Sequence, residues 1–233
     1  MDAPRIPRIE AWLVPAAALL LAALFCRPLA VDPDNWGISD WDQHLFFHAV
    51  PRRTILHYGE TPLWNPYNPG GLPDLGNPQS RILSPTFPLV LAFGVIHGVK
   101  IDIALHCAAA FVFTWLLARK LGSSRAASAL AAGVYAFGGL AVYPVAFGMT
   151  WSLTIAYVPL LFLGFWKAVE DLRWAWLGGL ALALILFGGG AYVLVIAGFF
   201  LGSWRRSRRS RRGARARSRR WRSSHCWGWA SRR

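Results

Sequence analysis

DWDQHLFFHAVPRRTILHYGETPLWNPYNPGG, residues 40–71, is the most polar and most crowded stretch of the chain, and it lies between segments apolar enough to sit in lipid. It carries two aspartates one residue apart, three histidines, an arginine pair and a PLWNPY turn. Read together with its flanks, it is the first loop of a polytopic helical membrane protein rather than part of a soluble domain. The flanks decide this. The apolar run at 11–31 approaches the ~20 residues a span needs and exceeds the h-region of a signal peptide. Arg5 and Arg8 precede it, so its start is expected in the cytoplasm.

Further along, 101–118, 126–146, 153–167 and 174–201 read as spans. The stretch 82–99 is apolar but short, and Pro85 and Pro88 break its first turns, so it is expected to be re-entrant or interfacial. That choice keeps Arg119, Lys120, Arg125, Lys167 and Arg173 on the N-terminal, cytoplasmic side and places the loop 32–80 outside. The expected architecture is all-α, a transmembrane helix bundle with a large first extracytoplasmic loop, in the inner (plasma) membrane.

The net charge of +14 resembles a nucleic-acid signature, but its distribution removes that reading. Residues 1–202 hold 12 Lys and Arg against all 11 Asp and Glu, so the body is close to neutral. The excess comes from 203–233, which has 13 Arg and no acid. GC-rich Leu, Ala and Val codons read out of frame give Arg, Ser, Gly and Trp, and CTG-CTG-G read one base late gives the Cys-Trp pair found at 226–227. The tail therefore reads as a frameshift product, and residues 1–202 as the N-terminal part of a longer membrane domain. The composition of the tail points to disorder. No nucleic-acid partner is expected. The three cysteines have neither disulfide nor metal-ligand spacing.

Asp40 and Asp42 stand just after the first span. In extended backbone they project to one side, where they can hold a divalent cation (Mg or Mn) or supply a general base. On a helix beginning at Trp41, Asp40 would instead be its N-cap. Residues 43–58 can form an amphipathic helix with Leu45, Phe46, Val50 and Leu56 toward the membrane. His44 and His48, four apart, then share one face. Arg52 and Arg53 are placed to meet a phosphate at head-group level. Trp64 offers a stacking surface for a sugar. Asn65, Asn77 and Gln79 offer amides for hydroxyl-rich ligands. Asp102 and His106 are the only polar candidates near a span, and they begin it rather than bisect it.

The pattern DWDQHLFFHA…R..IL.YGE.PLWNPYNPGG.P.LGNPQSRILSP.FPL resembles the first extracytoplasmic loop of GT-C glycosyltransferases, nearest the YfhO-like bacterial group, over residues 36–91. A weaker echo covers residues 117–139. The resemblance implies an enzyme that takes a sugar from a polyprenyl-phosphate donor to a glycan, lipid or protein acceptor. It implies Asp42, then Asp40, as catalytic carboxylate. His44, His48, Arg52, Arg53, Trp64, Asn65, Asn77, Gln79 and Arg81 would be substrate-binding, with no certain cofactor. A transporter or flippase for lipid-linked saccharides, or a non-catalytic membrane protein, is the alternative.

Overall fold

The computed structural model describes residues 8–77 and 79–204. The chain divides at Leu194 into two compact units, of which the second is described over 195–204, where it is helical. The fold is all-α apart from one two-residue hairpin, and it is that of a membrane helix protein. The tail expectation at 203–233 falls outside the described residues from 205 onward.

Helix α1 (Arg8–Phe25) stops at Cys26, and a short α2 (Arg27–Val31) follows with Pro28 in its first turn. α3 (Trp41–Arg53) opens the loop helix and passes into one π-helical turn, Thr54–Tyr58, closed by Gly59 at φ 68°. The hairpin pairs β1 (Trp64–Asn65) with β2 (Leu72–Pro73), antiparallel. Next come α4 (Phe87–Phe93), the long α5 (Val95–Lys120), α6 (Arg125–Phe137) and α7 (Gly139–Ala146). A 3₁₀ segment, Thr150–Tyr157, leads into α8 (Val158–Glu170). A 3₁₀ turn, Leu172–Trp174, leads into α9 (Ala175–Phe187).

Among the described residues three helical stretches are long and apolar enough to cross a membrane: Val95–Lys120, Arg125–Ala146 and Thr150–Glu170. Ile9–Phe25, Leu172–Phe187 and Ala191–Trp204 are shorter and apolar. Two sequence boundaries shift. α5 starts at Val95, not 101, because Gly98 lets it lie directly on the backbone of Leu89 and Val90, where a Cβ would come within 2.6 Å of Val90 Cα. Residues 82–99 thus hold a seven-residue helix folded back onto the start of α5. The stretch 174–201 is not one helix: it breaks at Gly188–Gly190, where Gly189 takes φ 81° and Gly188 and Gly190 pass against Thr154.

α5 is the centre of the unit and packs against α1, α4, α6, α8 and the 3₁₀ segment. Small residues allow close approach of apolar helices that gain little from water exclusion in lipid. Ala18 and Ala22 of α1 and Ala132 and Ala136 of α6 are buried in the common core with Ile103, Phe111 and Trp115.

The two ends differ in chemistry. At one, Lys120 pairs with Glu170 at 2.6 Å, Arg125 with Glu10, and Lys167 lies over the Trp174 ring at 3.7 Å. At the other, Asp40 N donates to Phe147 O at 3.1 Å, and Lys100 Nζ donates to the carbonyls of Asp32 and Pro33, both at 2.7 Å. The basic cluster therefore shares an end with the start of α1.

α8 and α9 meet at Gly164 and Gly178, where a Cβ on Gly164 would strike the Gly178 backbone. Gly164→Ala is expected to lower stability by about 1–3 kcal/mol, read as a fall in detergent melting temperature. Gly179→Ala, which meets nothing within 4 Å, should leave it unchanged.

Candidate functional site

Asp40 and Asp42 sit at the head of α3, both exposed. Asp40 is the N-cap and Asp42 lies in the first turn, so the pair is not in extended backbone. The carboxylates do not project to one side, since positions two apart on a helix diverge by about 200°. Two contacts seat this segment. Gly148, at φ 84°, lies so close to this backbone that a Cβ on it would stand 2.7 Å from Asp40 C and 2.8 Å from Trp41 Cα, so no side chain fits there. Trp36 Nε1 donates to Asp42 Oδ1 at 3.0 Å. The preceding Ser39 has φ 63°, a left-handed conformation that costs a non-glycine residue on the order of 1 kcal/mol.

Trp36 and Trp41 form part of the wall of an apolar cavity of about 510 Å³, completed by Leu29, Val99, Ile103 and Val142 among others. Asp32, Asn35 and Lys100 are its polar lining residues. Lys100, whose ammonium is held by two carbonyls, is a cation in the lining of this cavity. No sequence pattern pointed to it, because it lies on the helix that follows a proline-rich loop, far along the chain from Asp42.

The histidine face of α3 points inward. Trp41, His44, Phe47, His48, Val50 and Pro51 are its buried residues, whereas Leu56, expected toward the membrane with Leu45, Phe46 and Val50, is exposed on the π turn. His48 Nδ1 donates to His44 O at 2.6 Å, and His44 Nδ1 lies 3.0 Å from Thr150 Oγ1. Burial lowers the pKa of both rings, His48 to about 4, and the Arg81 charge adds to the effect. Both rings are buried at the inward face of α3. Among the described residues no cluster of three His, Cys, Asp or Glu could hold a metal ion.

The arginine pair lies about 15 Å along α3 from Asp42 at 1.5 Å per residue. Arg52 Nε donates to Val90 O at 3.0 Å, and Arg53 faces the Tyr67 ring at 5.6 Å. Trp64 is half exposed and rests on Gly71, whose backbone it leaves no room to substitute. The amides turn inward. Asn65 Oδ1 accepts from Tyr67 N at 2.9 Å and Asn77 Oδ1 from Gln79 N at 3.0 Å, so these residues shape the loop. Close to the hairpin that holds Asn65, the fully buried Asp74 has neither oxygen bonded among the described residues, and burial raises its pKa to about 6.

Arg81 is 2% exposed. Its Nη1 donates to Asp102 Oδ2 at 2.6 Å and its Nε to Gly188 O at 3.1 Å. His106, four residues along α5, places Nδ1 2.8 Å from Asp102 Oδ1. This buried trio unites residues 81, 102 and 106. In the sequence Asp102 and His106 stand out as polar in a span and Arg81 as a ligand residue, but separation along the chain hides their pairing.

A buried charge pair broken on one side leaves a desolvated charge. Asp102→Asn is expected to cost about 3–5 kcal/mol, seen as a large loss of detergent melting temperature. The double variant Arg81→Met with Asp102→Leu should recover most of it. Equal losses in both variants would show that charge is not what matters at this position.

The profile of a family described as "Predicted membrane protein (DUF2079)" matches residues 40–229, which include the loop from Asp40 onward. No curated protein and no solved structure matches the chain. With most of its loop, its long apolar helices and most of its length inside that match, the chain belongs to the predicted membrane protein family DUF2079.

Proposed function

We propose that the protein is a membrane glycosyltransferase, or the N-terminal portion of one, of the GT-C type. It moves a sugar from a polyprenyl-phosphate donor to an extracytoplasmic glycan, lipid or protein acceptor. The observation that supports this most is the exposed Asp42 hydrogen-bonded to Trp36, a wall residue of the 510 Å³ apolar cavity. A lipid-linked donor needs an apolar place for its tail and a base where its head emerges. Asp42 accepts the acceptor hydroxyl proton as the new glycosidic bond forms and the bond from sugar to lipid phosphate breaks. Asp40 is the second choice.

Lys100 lines the cavity and is better placed for the leaving phosphate than Arg52 or Arg53, which do not line it. Trp64 remains available to stack on a sugar. A divalent cation at Asp40 and Asp42 would have two divergent carboxylates and would need its other oxygens from water and a substrate phosphate. The loop 32–80 is placed outside the inner membrane and the basic end of the bundle inside, in keeping with the positive-inside rule.

Transport of a lipid-linked saccharide is a second reading, favoured by the buried Arg81, Asp102 and His106. Ionisable groups inside spans mark substrate or proton pathways. Asp102 and His106 lie about 10 and 17 Å into α5 at 1.5 Å per residue.

Asp42→Asn, expressed to the normal level, is expected to lower sugar transfer from a radiolabelled polyprenyl-phosphate donor by about 100-fold or more. Full activity in that variant would sink the catalytic assignment. Passage of intact donor across proteoliposomes without sugar release would favour transport.

A further inference from the structure

Behind the large cavity, sharing Cys107, Ala141 and Val145 with it, lies a second cavity of about 30 Å³. His106, Tyr135 and Ser152 contribute polar groups to its wall, amid Ala110, Leu153 and Ala156. His106 and Ser152 are each 3% exposed. His106 Nε2 and Ser152 Oγ are buried and have no partner among the described residues. Two orphaned polar atoms on one small cavity are unusual, because buried polar groups in folded proteins are almost always hydrogen-bonded.

The bonds already made define what the guest must offer. His106 Nδ1 lies 2.9 Å from the Asp102 carbonyl and 2.8 Å from Asp102 Oδ1, both acceptors, so Nδ1 carries the hydrogen. In the neutral ring Nε2 is then an acceptor. Ser152 has a hydroxyl to donate. Tyr135 gives its own hydrogen to Ile155 O at 2.9 Å and keeps lone pairs. The guest must therefore donate and accept within a volume of one small molecule. Water fits: it needs about 10–15 Å³ and two to four polar partners.

We propose that this cavity is an internal water site, in which the water accepts from Ser152 and donates to His106 Nε2 and to the Tyr135 oxygen. His106 is thereby an acid–base group connected to water inside a span, with Asp102 and Arg81 fixed behind it and the Tyr157 ring 5.3 Å away. This inference does not depend on the glycosyltransferase reading.

The test is solid-state NMR on the full chain, ¹⁵N-labelled at histidine and reconstituted in lipid, with His106→Gln used to assign the ring. The expected result is a neutral Nδ1–H tautomer with a water cross-peak at Nε2. Ser152→Val, which fills the cavity, should abolish the cross-peak, and Ser152→Ala should retain it. Ala110→Val fills the same cavity from another wall and serves if Ser152→Val does not fold. An Nε2–H tautomer, no water contact in the parent, or a cross-peak that survives both filling variants would overturn the proposal.

Discussion

The Arg81–Asp102 ion pair is the constraint on which the arrangement of this molecule turns. It closes the end of the first loop onto the helix that α1, α4, α6 and α8 pack against, and Gly188 supplies a carbonyl to the same guanidinium. A charge without a partner at this depth would carry a desolvation penalty of several kcal/mol. The partners are therefore bound to meet, and their meeting ties the end of the loop to α5 and to the break after α9. The three glycines at that break let the chain pass against Thr154 with its carbonyl turned to Arg81.

A second contact, independent of charge, positions the chemistry. Gly148 brings the α7 turn directly onto the backbone of Asp40 and Trp41, and Trp36 then holds Asp42 by one hydrogen bond. Trp36 thus serves twice, as cavity wall and as support for an exposed carboxylate. The strained Ser39 between these tryptophans fits a segment whose geometry is imposed by its surroundings, as strained residues at functional sites are.

Much of this was legible in the sequence, and what was not has identifiable causes. Hydropathy located the apolar helices, because length and apolarity are one-residue properties summed over a window. The spacing of His44 and His48 put them on one face, but periodicity cannot say whether that face meets ligand or core. Asn65 and Asn77 have the amides that bind sugars, and the same amides close turns two residues on. Only the backbone path distinguishes these uses. The break at 188–190 was hidden because glycine is tolerated in membrane helices, so three in a row do not by themselves end one. The bond from Arg81 to Asp102 joins a loop to a helix, and no local pattern encodes such a pairing.

The central claim is that the apolar cavity beneath Trp36 and Trp41 holds the tail of a lipid whose head group reaches Asp42. A polyprenyl phosphate with a benzophenone near the head end of its tail, photolysed with the protein in lipid, tests it most directly. Adducts on Val99, Ile103 or Val142, competed away by unlabelled polyprenyl phosphate, are the predicted result. Adducts confined to exposed apolar positions such as Leu130 and Val134, insensitive to competitor, would contradict the account.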